Sequence, residues 1–165
     1  MRELTEADRI LLGRRRKGLD AFLEQGYEVL VEFMELLELP EPHMVLRDAE
    51  RYLVPVDSWV KDQVVTAENR NWILTRFLYF IGELLLQRLR GHWFVEEVPD
   101  SPYFSEYVVG LFARLSNPYA RISPAALSAY FVDLPPGRSL IEVIDRAEAE
   151  LRECKQSGTK GPPES

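Results

Sequence analysis

The feature that most constrains the fold is an almost continuous apolar segment between Trp72 and Leu89, WILTRFLYFIGELLLQRL. Its polar and small interruptions are Thr75, Arg76, Gly82, Glu83, Gln87 and Arg88. The segment is too short and too polar to span a membrane, which takes about 20 apolar residues. It is also too apolar for a surface helix, whose outward face is normally polar. It therefore predicts a buried central helix in a small globular domain.

Helical periodicity also covers the start of the chain. Thr5 and Asp8 have the spacing of a capping box, and apolar residues then recur every three or four positions. Glycines weaken this helix and predict a break near Gly18. The helical stretch should end near Leu39, because Pro40 stops it.

A second, shorter helix is predicted over residues 43–53, because Pro55 should end it. Asp57 or Ser58 then has the side chain needed to begin another short helix. Thr66 is the predicted cap of the central helix. These three signals divide the region before the central helix into short helical pieces.

The pattern changes from helical to extended after Gly91. HWFVEEV and EYVVGLFARL are rich in aromatic and β-branched residues, and the turn-forming sequence PDSPYF separates them. The two segments predict an antiparallel hairpin. This hairpin must lie against the helices, because two strands alone are only marginally stable.

Two helices and a tail are predicted to complete the chain. Proline at the first helical position after Ser123 begins a short helix. Ser139 and Glu142 form a second capping box, and the helix that they begin continues to about Lys155. Residues 156–165, QSGTKGPPES, predict a disordered tail.

The order of these elements predicts an α+β fold that is predominantly helical. A central buried helix would be packed by other helices and by a small antiparallel β-hairpin. The length of 165 residues favours a single domain. We expect one globular domain over residues 1–155, with a helical part at 5–90 and the hairpin plus two helices at 91–155.

Charge and cysteine content limit the classes of function. A net charge of -7 disfavours nucleic-acid binding, which needs a basic face, and it suits a basic protein partner. The single cysteine cannot form an internal disulfide, which favours a reducing compartment. The N-terminal segment lacks the apolar core of a secretory signal. The sequence thus predicts a cytoplasmic protein that binds neither nucleic acid nor membranes.

Motifs for catalysis and metal binding are missing from the sequence. His43 and His92 are the only histidines, and their spacing does not make a metal pair. There is neither a G-x-S-x-G elbow nor a glycine-rich phosphate loop. We therefore assign no catalytic residue, no metal ligand and no cofactor, and a protein without enzyme activity is favoured.

From about Asp57 to Leu151 the chain resembles an uncharacterised group of small bacterial proteins of unknown function. The segments that carry the resemblance are WILTRFLYFIGELLLQRLRGHW, EEVPDSPYF, YVVGLF, NPYARISP and LPPGRSL. The resemblance implies an α+β domain in which a central helix precedes a β-hairpin. In outline it is also similar to proteins found beside bacterial toxin or defence loci. It brings no catalytic residues to this chain.

The first functional hypothesis is a non-catalytic protein–protein interaction module of the immunity or adaptor type. It depends on acidic and aromatic residues in or beside the hairpin loop, which would contact a basic partner. These candidate contact residues are Glu96, Glu97, Asp100, Tyr103, Phe104 and Glu106. The basic run Arg14–Lys17 is interpreted as a solvated helix face rather than as an anion site.

The alternative is a small-molecule binder or enzyme with a polar pocket between the central helix and the hairpin. Its polar members would be Arg76, Glu83, His92 and Arg121. A structural salt bridge from Glu83 to an arginine near the strands is the favoured interpretation of that buried charge. Gly82 should allow another backbone to approach closely. The apolar residues at 27–39 also leave room for a homodimer.

Overall fold

The computed structural model describes residues 2–160, with side chains described for residues 2–153. In this range the five α-helices are α1 (Glu6–Leu36), α2 (Glu50–Lys61), α3 (Arg70–Leu89), α4 (Pro124–Val132) and α5 (Leu140–Lys160). A 3-10 helix, Pro42–Leu46, precedes α2. The strands are β1 (His92–Val95), β2 (Tyr107–Gly110) and β3 (Arg121–Ile122). The predominantly helical α+β class is therefore confirmed.

Helix α3 is the buried centre of the fold, as the apolar segment predicts. Every residue from Tyr79 to Leu85 is buried, a run of nearly two turns that leaves no face of the helix to solvent. Helices α1 and α4 and strands β1 and β2 all pack against it. Burial on all sides explains why the segment is apolar all round.

Helix α1 is one continuous helix, so the predicted break at Gly18 is wrong. Its capping box is present, with Thr5 Oγ1 accepting from the Asp8 amide at 3.1 Å and Asp8 Oδ2 accepting from the Thr5 amide at 2.9 Å. Its glycines serve close packing instead: a Cβ on Gly18 would lie 2.8 Å from the Tyr107 hydroxyl, and one on Gly26 would overlap the Tyr79 ring. The helix tolerates these glycines because they bring it close to α3 and β2.

Helix α2 does not end at Pro55, which contradicts the sequence prediction. Proline removes one helical hydrogen bond, but Val56 and Val60 on the following turns are fully buried in the core. Their burial keeps the chain helical past the proline.

Asp57 also does not begin a helix. It lies inside α2 with its carboxylate buried, and its Oδ1 accepts a 2.6 Å hydrogen bond from the Leu140 amide at the start of α5. Ser139 provides the predicted local cap, with its Oγ accepting from the Glu142 amide at 3.2 Å. The Asp57 hydrogen bond attaches the N-terminus of α5 to α2.

The predicted cap of α3 is not formed by Thr66. Its hydroxyl accepts from the Asn69 amide, and α3 begins one residue later, at Arg70.

The predicted hairpin is present as β1 and β2, with His92 paired to Gly110 and Val95 to Tyr107. The second strand is shorter than predicted, because Leu111 adopts a positive φ of 54° directly after Gly110. A third strand, β3, extends the antiparallel sheet in the order β1-β2-β3. The sequence missed β3 because two residues are too few to show an alternating pattern.

Helix α5 continues to Lys160, past the predicted end near Lys155. Residues 161–165 of the predicted disordered tail lie outside the described residues.

Ion pairs connect α5 to the rest of the fold. Arg88 of α3 pairs with Glu148 of α5 at 3.0 Å and with Glu50 of α2 at 2.7 Å. This arginine joins three helices at the C-terminal end of α3.

The contact between Gly82 and Trp93 gives the first prediction. A Cβ at Gly82 would overlap the indole ring of Trp93, which lies flat on α3. We expect Gly82→Ala to lower the free energy of unfolding by about 1–3 kcal/mol, the usual cost of overpacking a core.

Gly13→Ala is the matched control, because a Cβ there meets nothing within 4 Å. It should stabilise α1 by about 0.5–1 kcal/mol. Chemical denaturation measures both changes, and a neutral Gly82→Ala would contradict the packing described.

Candidate ligand-binding groove

Two of the predicted contact residues are turned inward on the sheet. Glu96 is only 1% exposed, and its Oε2 lies 2.8 Å from Nε of Arg121. Its neighbour across the strands, Glu106, is partly buried and accepts a 2.8 Å hydrogen bond from the Ser123 hydroxyl. Neither carboxylate therefore forms part of a free acidic surface.

The other acidic residues of the loop are held by the start of the chain. Glu97 accepts hydrogen bonds of 2.9 and 2.6 Å from Arg16, and these bonds hold the pKa of Glu97 below its usual value. Asp100 accepts from the Arg2 amide at 3.2 Å, and the Arg2 guanidinium lies over the Phe104 ring at 5.1 Å. Glu97 and Asp100 are therefore both bonded to residues in the N-terminal part of the same chain.

The basic run of α1 takes part in the same contact. Nε of Arg15 donates to the Ser105 carbonyl at 3.1 Å, and the Arg15 carbonyl accepts from the Tyr107 hydroxyl at 2.8 Å. Arg15 and Arg16 fasten the loop between β1 and β2 to α1. The interpretation of this run as a purely solvated face therefore fails for these two residues.

The four residues of the predicted polar pocket have separate surroundings. Arg76 lies 4.0 Å over the Trp72 ring and donates to the carbonyl of that residue at 3.1 Å. Arg121 pairs with Glu96, and His92 is exposed at the start of β1. Glu83 is buried in α3 and contacts none of the other three. The structure does not bring these side chains together in one concave site.

Glu83 has no cationic partner among the described residues, so the predicted salt bridge to an arginine is wrong. Nε2 of Gln87 donates to it at 3.3 Å, and the same amide group bonds the Val45 carbonyl and the Ala49 amide. Burial raises the pKa of Glu83, against the lowering effect of hydrogen bonds from Gln87 and Trp93. The carboxyl group therefore serves the packing of α3 against its neighbours.

This buried carboxyl gives a pH prediction with a definite sign. Because its pKa is higher in the folded chain, the native state binds more protons than the unfolded state from about pH 4.5 upward. Ionising Glu83 therefore lowers the free energy of unfolding as pH rises through this window. We expect Glu83→Gln to remove that loss, so the stability of the variant relative to the wild type should increase with pH. Urea unfolding at several pH values tests this, and a difference that decreases with pH would refute it.

A larger concave site lies elsewhere, between α4 and α5. Helix α4 packs against α3, whereas α5 packs against α2, and both helices line the groove between them. The groove between them has a volume of about 650 Å³. Ile122 of β3 and Tyr103 of the loop between β1 and β2 complete its wall near the start of α4.

Each helix presents one face to this groove, with residues spaced by three and four. The contributions from α4 and α5, with the cap residue of each, are Ser123, Ala126, Leu127, Tyr130, Ser139, Glu142, Val143, Arg146, Ala147 and Glu150. From Ser139 to Glu150 this face is roughly 16 Å long at about 1.5 Å per residue. The wall combines apolar side chains with a similar share of polar and charged ones.

Arg138 lies where the two helices meet and is the most unusual residue of the groove. It is only 8% exposed, and its Nε donates to the Leu134 carbonyl at 3.0 Å. Within residues 2–153, Nη1 of Arg138 has no hydrogen-bond acceptor and the guanidinium has no ion-pair partner. A buried charged donor without an acceptor is costly, typically by more than about 1–3 kcal/mol. Nη1 itself has almost no accessible surface, but Arg138 lines the groove, so an anion bound there would lie beside this guanidinium.

The remaining charges of the wall balance each other. Arg146 is exposed on α5 between Glu142 and Glu150, which lie one turn before and one turn after it. With Arg138 the groove therefore carries two cations and two anions. The two hydroxyls near its ends are engaged in caps, since Ser123 bonds the Ala126 amide and Ser139 the Glu142 amide.

Sequence reasoning missed Arg138 because its chemistry depends on tertiary burial. It occurs in the turn PPGRS, where an arginine normally faces solvent. The only local signal is its position directly before a helix cap on a turn between two amphipathic stretches. Of the predicted contact residues, Tyr103 alone lines this groove.

Comparison with known proteins gives no match, whether with protein-family models, with curated proteins or with solved structures. Among the residues that the structure describes, no three His, Cys, Asp or Glu side chains are grouped so that they could hold a metal ion. None of the described helices combines the length and the hydropathy needed to cross a membrane.

Proposed function

We propose that the protein is a non-catalytic binding protein that holds a small anionic molecule in the groove between α4 and α5. The observation that carries this proposal is Arg138, a nearly buried arginine whose charge has no counterion in the described part of the chain. Because Arg138 lines the groove, a bound anion would lie beside this guanidinium and balance its charge.

The shape of the groove supports a small molecule as the occupant. Its volume of about 650 Å³ falls within the range of about 300–1,000 Å³ that is usual for ligand pockets. Such pockets combine an apolar wall with a few polar groups that orient the ligand. Leu127, Val143 and Ala147 supply the apolar wall here, and Arg138 supplies the orienting charge.

The groove supports binding rather than a reaction. The Ser123 hydroxyl has a carboxylate partner, Glu106, but Ser123 is only 1% exposed and caps α4. A nucleophile in that position does not reach a ligand. Apart from Arg138, the charged side chains of the groove lie on the exposed side of α5.

The protein-partner function predicted from the sequence remains a prediction. Several residues that motivated it are buried or bonded within the chain, namely Glu96, Glu97, Asp100 and Glu106. The proposed cytoplasmic location and the resemblance to small bacterial proteins also remain predictions. They are compatible with a small-molecule binder.

Replacement of the buried arginine tests the proposal. A panel of small organic anions, including benzoate, hexanoate and citrate, is screened for its effect on the thermal unfolding midpoint, because a ligand that binds the native state raises it. At least one anion should stabilise the wild type. Arg138→Gln should weaken its binding about 10- to 100-fold, since a charged hydrogen bond contributes about 1.5–3 kcal/mol.

Arg14→Gln is the control, because Arg14 is exposed on α1 and away from the groove. This variant should respond to the anion as the wild type does. Circular dichroism confirms that both variants are folded. Equal stabilisation of Arg138→Gln, or a panel in which no anion stabilises the wild type, would contradict the proposed function.

A further inference from the structure

We propose that a second pocket of the protein binds a free amino acid with an apolar side chain. This pocket has a volume of about 430 Å³ and lies where α1, α3 and the start of α4 meet the beginning of β2. The amino acid places its carboxylate on Arg15, its ammonium group on Glu106 and its side chain on apolar residues. The site is separate from the groove between α4 and α5, because, of the described residues, Ala126 alone lines both.

Opposite charges line this pocket without pairing. Arg15 of α1 is exposed, and Glu106, directly before β2, is half-buried. Within the part of the chain that the structure describes, neither side chain forms an ion pair with the other or with a third residue. By contrast, the neighbouring residue Arg16 pairs with Glu97 at 2.6 Å. A ligand that carries both charges would complement Arg15 and Glu106 together.

Each charged group is held by one hydrogen bond that leaves other atoms available for a ligand. Nε of Arg15 donates to the Ser105 carbonyl at 3.1 Å, and Oε1 of Glu106 accepts from the Ser123 hydroxyl at 2.8 Å. Among the described residues, the two Nη atoms of Arg15 and Oε2 of Glu106 have no hydrogen-bond partner. Guanidinium nitrogens donate to a carboxylate, and a carboxylate oxygen accepts from an ammonium group. Both ends of an amino acid would therefore find a partner.

Apolar residues from three helices supply the rest of the pocket. Phe22 of α1 and Leu78 of α3 are half-buried, and Ala125 and Ala126 are the small residues that α4 contributes. The Phe22 ring is held against the Tyr107 ring, with their centroids 4.3 Å apart. Small pockets that combine an apolar wall with a few polar groups are typical ligand sites. An aliphatic side chain would cover the exposed part of this apolar surface.

The presence of both charges favours a free amino acid over related molecules. A fatty acid or another simple carboxylate would bring a second negative charge beside Glu106. An amine without a carboxylate would bring a positive charge beside Arg15. A residue at one end of a peptide retains only one of the two backbone charges. The zwitterion alone matches both side chains, because like charges at close range repel.

Isothermal titration calorimetry with four probes tests this ligand class. L-Leucine should bind the wild type. N-Acetyl-L-leucine, which lacks the ammonium group, and L-leucinamide, which lacks the carboxylate, should each bind about tenfold more weakly or worse, because each loses a charged hydrogen bond. Glycine should also bind about tenfold more weakly or worse, because it buries no side chain.

Two isosteric or near-isosteric variants test the residues. Arg15→Gln and Glu106→Gln should each weaken L-leucine binding about 10- to 100-fold. Glu106→Gln retains an oxygen that can accept from Ser123, so it removes the charge and not that contact. Arg16→Gln is the matched control, because it releases the same loop from α1 at Glu97 without lining the pocket, and it should bind L-leucine as the wild type does. Circular dichroism shows that each variant is folded.

The outcomes separate this proposal from the proposed function. The amino-acid site is refuted if L-leucine does not bind, or if N-acetyl-L-leucine or L-leucinamide binds as tightly. Unchanged binding in Arg15→Gln or Glu106→Gln, or an equal loss in Arg16→Gln, also refutes it. Arg138→Gln should bind L-leucine normally, and a loss there would place the ligand in the other groove and refute the second site. None of these results depends on whether an anion binds through Arg138.

Discussion

The burial of α3 on every side determines where the other elements can lie. Helices α1 and α4 and the sheet occupy its surface, and close contacts at Gly26 and Gly82 admit the rings of Tyr79 and Trp93. Helix α5 instead packs along α2, where the buried carboxylate of Asp57 bonds its first amide. The groove therefore lies between two helices that pack against different partners.

Charges within the chain are used mainly to join its parts. Arg16 pairs with Glu97 across the loop between β1 and β2, and Arg88 joins three helices. Exposed pairs such as Arg16–Glu97 contribute little stability each, but this pair attaches the loop that carries Tyr103 to α1. Against this background Arg138 is an exception, because it is buried and no carboxylate in the described region pairs with it, although its guanidinium lies 6.0 Å from the Phe131 ring centroid.

Local signals in the sequence predicted local structure well. The buried helix, the capping boxes at Thr5 and Ser139, and the pairing of β1 with β2 depend on residues that are close in sequence. The failures involve distant contacts. Pro55 is accommodated because the residues after it are buried by other helices, and β3 exists because β2 offers it a free edge. The groove escaped prediction because the burial of Arg138 depends on tertiary contacts of the turn that joins α4 and α5.

Nuclear magnetic resonance of the arginine side chains tests the central claim most directly. Titration of an anion that stabilises the wild type into the labelled protein should shift the Nη–H signals of Arg138, whose Nε–H already donates to the Leu134 carbonyl, and the backbone amides of α4 and α5 that line the groove. The Nε–H signal of Arg121, which is already paired with Glu96, should not move. Unchanged Arg138 signals at a saturating concentration of that anion, or shifts confined to residues outside the groove, would contradict the account.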